Sequence, residues 1–170
     1  RSTSRPRTTA PGNRDNPHAV DPASPHRSRL VLVNNERKYR EPADQWVRDQ
    51  LATIERTGTT GSVDIMGRPV VVVEILGAKS GLWRKVPLMR VEHGGSYALV
   101  ASKGGDPRHP SWYASITANP QVRIQDDTTT LEAVAREVSD AEREQWWQRC
   151  VEAYPPYAEY QTKTDRLIPV

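Results

Sequence analysis

The stretch "RPVVVVEILG" (residues 68–77), followed by "AKSGLWRKVPLMRVE" (residues 78–92) and "HGGSYALVAS" (residues 93–102), decides the fold class. The first run is β-branched, bounded by Pro and Gly, and has the length of a buried strand. A glycine-containing loop leads from it into a second strand over residues 84–92. Gly94 and Gly95 then read as a hairpin turn into a third strand over residues 96–102. Strands joined by such short connections must run antiparallel, because a parallel pair needs a crossover of a dozen residues or more.

The flanks add helices. In "EPADQWVRDQLATIERTG" (residues 41–58) Val47, Leu51 and Ile54 fall on one helical face, Pro42 sits near the start, and Gly58 suits the position just past the end. "HPSWYASITANP" (residues 109–120) predicts a short helix that stops before Pro120, since a residue preceding proline disfavours helical backbone. "QVRIQ" (residues 121–125) and "TLEAVAREV" (residues 130–138) predict a second hairpin around "DDTT". "SDAEREQWWQRCVEAYPPY" (residues 139–157) opens with a capping box, Ser139 with Glu142, and places Trp147, Cys150, Val151 and Tyr154 on one face. Helices do not alternate with strands, so the pattern implies an α+β domain with a mainly antiparallel sheet or barrel and excludes a doubly wound nucleotide fold. No internal repeat is present.

The formal charge of +3 misleads until it is divided along the 170 residues. Residues 1–29 carry six Arg against Asp15 and Asp21, so this Pro-rich stretch holds +4 and the remainder −1. Its composition predicts a disordered basic tail, followed by a single domain over residues 30–170. The domain shows no nucleic-acid footprint. One cysteine, Cys150, excludes an intrachain disulfide and a cysteine-rich metal site, and the four His do not form a metal set. No apolar run is long enough to span a bilayer and the opening residues lack the apolar core of a signal peptide, which predicts a soluble, cytoplasmic protein.

Two loops combine flexible backbone with cations: "GAKSGLWRK" (residues 77–85) and "SKGGDPRH" (residues 102–109). Glycine admits close approach of backbone N–H groups, and Lys79, Arg84 and Lys103 supply charge, so a phosphate-bearing ligand is one reading. A pair of solvated turns is the other. Neither loop carries the Walker order or a G-x-G-x-x-G fingerprint.

The series G-x-K-S-G-x-x-R-x-x-P-L, L-V-A-S-K-G-G, H-P-x-W-Y, A-N-P and Y-P-x-Y-x-x-Y-Q-x-x-T-D-R-x-I-P, spread over residues 42–170, resembles the deazaflavin-dependent nitroreductase family, whose members use coenzyme F420. The resemblance implies a split β-barrel related to the FMN-binding barrels. It also implies an oxidoreductase that passes a hydride from the reduced deazaflavin to a quinone, a nitro-aromatic or another electron-poor acceptor. Lys79, Ser80 and Arg84 match the phosphate and tail side of the family's coenzyme site. Pro87, Met89, Ala101, Ser102, Lys103 and Gly104 match the lining near the ring, and Trp112 matches a tryptophan beside it.

Tyr154, Tyr157 and Tyr160 match family tyrosines that face the substrate, and a proton would come from Ser102, from one of these phenols or from solvent. A non-catalytic coenzyme carrier and, less favoured, an FMN-binding barrel are the alternative readings. No metal is implied. Three departures stand out. Ala78 replaces a common Arg, Met89 stands where some nitro-reducing relatives have an aromatic, and the chain ends at "DRLIPV" where relatives continue through another strand, which predicts an incomplete barrel edge. Peripheral membrane contact is compatible with the resemblance, and oligomeric state is not readable from it.

Overall fold

A computed structural model describes residues 36–170; the expectation of a disordered tail at residues 1–29 lies outside the described residues. Strand β1 (Val70–Leu76) lies inside the sheet, and five of its residues, Val70, Val71, Val72, Val73 and Ile75, are almost fully buried on its two faces. It pairs antiparallel with β2 (Trp83–Met89) on one side and β5 (Gln121–Asp126) on the other. The edge strand β6 (Thr129–Val134) completes the order β2-β1-β5-β6. β3 (Glu92–His93) and β4 (Ser96–Tyr97) form a separate two-stranded ribbon. Pro87 lies in β2, an edge strand, where a missing N–H costs least.

Four helices flank this framework: α1 (Gln45–Thr57), α2 (Ser111–Ala118), α3 (Asp140–Ala153) and α4 (Pro156–Thr162). Gly58 ends α1 as expected, with φ 77° and its N–H on the Ile54 carbonyl. Asn119 ends α2 with extended backbone ahead of Pro120.

Two buried clusters hold the elements together. Val71, Val73 and Ile75 of β1 meet Val122 and Ile124 of β5, Ala101, and Trp112 and Ile116 of α2. Met89, Val91, Ala98 and Val100 meet Cys150, Tyr154, Tyr157 and Ile168. Each fully buried Val or Ile contributes about 1.5–3 kcal/mol.

The antiparallel α+β architecture matches the sequence expectation, whereas several boundaries do not. The strand expected over residues 96–102 pairs as strand only at Ser96 and Tyr97; beyond them the Ala98 N–H reaches the Val91 carbonyl and the Ala101 N–H reaches the Pro169 carbonyl. The strand expected over residues 84–92 stops at Met89, and that over 130–138 stops at Val134. The capping box is not formed, because Arg136 takes the Glu142 carboxylate and the Ser139 hydroxyl bonds Asp140. Hydrogen bonding among the described strands gives an open sheet and a ribbon, with no closed barrel.

Candidate active site

The first basic loop leaves β1 at Gly77 and returns at Trp83. A Cβ on Gly77 would stand 2.6 Å from Ser80 Oγ and 3.0 Å from the Leu82 carbonyl oxygen, so glycine is required for the loop to close on itself. Lys79 and Ser80 are exposed at its tip. Arg84 pairs with Ile75 across the sheet, which puts it on the same face as Val71 and Val73, and its Nε is buried with no hydrogen-bond partner among the described residues. A buried donor without an acceptor is costly unless something fills its need, and an anionic oxygen is the strongest candidate. The loop therefore suits the phosphate end of an anionic coenzyme.

The second basic loop belongs to a different part of the framework. It follows the ribbon and not the four-stranded sheet, so the two loops do not share a sheet edge; α2 connects them. Ser115 Oγ of α2 accepts from the Ala78 N–H (3.4 Å), while Trp112 of α2 packs with Ala101. Lys103, Gly104 and Gly105 have φ of 47°, 65° and 85°, three successive left-handed residues, of which Lys103 has a Cβ to strain. Lys103 is also paired, 3.3 Å from Asp106. The backbone N–H and then the side chain of Arg108 hold the Asp106 carboxyl down to about 2, with Lys103 adding to the effect.

The remaining expected residues divide by burial. Ala101 and Ser102 are buried, and Gly104 is exposed, with open space where a Cβ would stand. Trp112 is buried in the core with Ile75 and Ile116. Strand alternation puts Pro87 and Met89 opposite Val72 and Val70, on the other face from Arg84. Met89 nevertheless packs with Tyr154 and Tyr157 at the strand's end.

The three tyrosines do converge. Their ring centroids lie 5.0 Å (Tyr154 and Tyr157), 6.1 Å (Tyr154 and Tyr160) and 6.2 Å (Tyr157 and Tyr160) apart. Tyr157 is in the core, where burial raises its pKa above the usual value. Tyr154 Oη is 3.0 Å from Tyr160 Oη and donates to Met66 Sδ at 2.9 Å. The hydrogen bond with Tyr160, then burial, pushes Tyr154 up to about 12. Cys150 is fully buried, and burial drives its thiol up to about 12, so it supplies no nucleophile.

Sequence reading missed three residues. Met66 is 76% exposed with φ 52°, yet its sulfur accepts from the Tyr154 hydroxyl. Gly105 packs so tightly on α4 that a Cβ would stand 2.6 Å from the Tyr160 carbonyl oxygen. Arg166 appeared in a quoted motif with no role, and its guanidinium bonds the carbonyls of Ala101, Ser102 and Asp106.

A cavity of about 420 Å³ lies elsewhere, between β6, α2, α3 and the C-terminal residues, and takes only Ala101 and Trp112 from the expected coenzyme residues. Lys79, Ser80, Lys103 and Gly104 are themselves exposed.

Loop cations, a cluster of phenols and a thiol too buried to react are compatible with an enzyme whose redox chemistry comes from a bound coenzyme. The sequence profile of the F420H(2)-dependent quinone reductase family matches residues 46–170, and the chain belongs to that family. It is an F420H(2)-dependent oxidoreductase of the quinone reductase type. The F420H(2)-dependent quinone reductase Rv1261c of Mycobacterium tuberculosis is 37% identical over 119 residues, covering 66% of this chain and 80% of its own. A solved F420-H2 dependent reductase (FDR-A) shares 62% identity with a TM-score of 0.58, over 63% of this chain and 95% of that one. Another solved structure, described as a domain-swapped dimer, shares 60% identity with a TM-score of 0.60, over 73% of this chain and 93% of that one.

Proposed function

We propose that Lys79, Ser80 and Arg84 hold the phosphate and acidic tail of coenzyme F420, that residues 101–104 wall its ring, and that Tyr154 and Tyr160 receive a quinone. When bound and reduced, the coenzyme supplies a hydride. The observation that carries the reading is the buried, unpartnered Arg84 Nε beside Gly77. Arg84, partly buried, would supply most of the attraction, while the exposed Lys79, screened by solvent, would add about 0–1 kcal/mol.

On the acceptor side Tyr154 Oη shares a hydrogen bond with Tyr160 Oη, in which either hydroxyl can donate, and also reaches Met66 Sδ. A thioether sulfur is a weak acceptor. A quinone carbonyl oxygen is a stronger one and takes the place of the sulfur, so Tyr154 Oη holds a proton where the reduced acceptor needs it. Ser102, buried beside Ala101, serves the ring wall through its backbone. Met89 packs with these phenols without adding an aromatic face, which favours quinones over nitro-aromatics.

The split barrel belongs to the same reading. The Ala101 N–H to Pro169 carbonyl bond and the Val138 N–H to Val170 carbonyl bond tie the ribbon side to the segment after β6, which supports the sheet and ribbon as its two halves. No helix among the described residues is long and apolar enough to cross a membrane. The proposed setting is the cytoplasm, with quinone met at the membrane surface.

The test is a titration of F420 against the Lys79→Ala/Arg84→Ala double variant. The dissociation constant should rise by at least about tenfold, and its dependence on salt should flatten. Unchanged affinity in a folded variant would overturn the assignment. Parallel assays with a menadione-like quinone and a nitro-aromatic test the acceptor preference.

A further inference from the structure

We infer that Arg166 is a positioning residue that holds the second basic loop in its coenzyme-ready conformation; the inference rests on the proposed site. Arg166 reaches the loop from about 60 residues further along the chain. Its Nε donates to the Asp106 carbonyl at 2.9 Å. Its Nη2 donates to the carbonyls of Ala101 at 3.1 Å and Ser102 at 2.8 Å, and Nη1 lies 3.3 Å from His109 Nδ1. One rigid fork thus fixes both ends of the segment that contains the left-handed residues Lys103, Gly104 and Gly105. Among the described residues no carboxylate lies within ion-pair distance of Arg166, and its charge is spent on peptide oxygens.

That choice of partners has an electrostatic effect. The Ala101 and Ser102 carbonyls belong to the peptide units whose other ends are the N–H groups of Ser102 and Lys103. A guanidinium on the oxygen polarises the peptide and strengthens the donor at its far end. Arg166 therefore both sets the strained backbone and raises the anion-seeking character of the groups it presents. Lysine cannot replace it, because an ammonium lacks the planar fork that meets three carbonyls at once.

The test uses Arg166→Lys and Arg166→Ala in the full chain. Without coenzyme, amide hydrogen exchange over residues 101–106 should quicken by at least about tenfold in both, while β1 and α3 keep wild-type protection. The F420 dissociation constant should rise on the order of tenfold in both. Guanidinium chloride at tens of millimolar should partly restore affinity in Arg166→Ala, whereas sodium chloride of equal ionic strength should not. Unchanged loop exchange, unchanged affinity, or no rescue overturns the inference, and so does failure of both variants to fold, which would make the residue structural. The two readings separate cleanly. If the Lys79→Ala/Arg84→Ala variant binds normally while Arg166→Ala frees the loop, the coenzyme assignment fails and the brace survives.

Discussion

Tyr154 and Tyr160 share one hydrogen bond, 3.0 Å between their hydroxyls, and that bond is the foremost cause of the raised Tyr154 pKa of about 12. Replacing Tyr160 by Phe removes it. Tyr154 should then titrate nearer the ordinary value of about 10, read from phenolate absorbance against a Tyr154→Phe control. Quinone turnover should fall by roughly tenfold with little change in F420 affinity.

The same shift sets an alkaline limit. A phenol whose folded pKa is raised favours folding while it stays protonated, so its contribution is complete below about pH 10. It is lost as pH rises toward 12. Denaturant midpoints of wild type should decline more steeply across this window than those of Tyr154→Phe.

Asp106 gives the opposite sign. Its carboxyl, held near 2 by Arg108 and Lys103, favours the folded loop above the ordinary carboxylate value and loses that effect as pH falls from about 4 toward 2. Amide exchange over residues 103–108 should accelerate through that interval in wild type and be nearly pH-insensitive there, after correction for intrinsic rates, in Asp106→Asn.

Gly105→Ala should be among the most damaging single changes outside the core. A Cβ there meets the Tyr160 carbonyl oxygen at 2.6 Å and Lys163 Cβ at 2.9 Å, at a φ of 85°. Backbone strain alone costs about 1–3 kcal/mol. Urea unfolding would measure the loss, and near-ultraviolet dichroism should report displacement of the tyrosine cluster.

Cys150 should resist aromatic disulfide reagents at pH 8 in the native state and react on unfolding, since it has no exposed surface and a thiol pushed to about 12. Rapid native labelling would contradict the packing of α3.

What the sequence disclosed was what local pattern controls. The apolar face of α1, its Gly58 terminus and the valine run of β1 are each written in neighbouring residues. Strand limits were harder to read, because the extent of pairing depends on distant chain: residues 98–101 take their bonds from Val91 and Pro169 instead of extending β4. The loop cations and the three tyrosines were visible as motifs. Their division was not, since only the fold puts Tyr157 inside, pairs Lys103 with Asp106 and leaves Arg84 Nε without a partner. Met66 and Arg166 escaped notice because each acts on groups 60 or more residues away.

The bare α-carbon of Gly105 sits against the Tyr160 backbone, so the second basic loop and α4 are joined, and with them the two walls of the proposed site. Any factor by which a bound coenzyme shifts the acceptor's affinity through this contact must be returned by the acceptor to the coenzyme. Changes in α4 that move the Tyr160 backbone will press on the second basic loop, whereas changes confined to the side chains of α4 leave that contact in place.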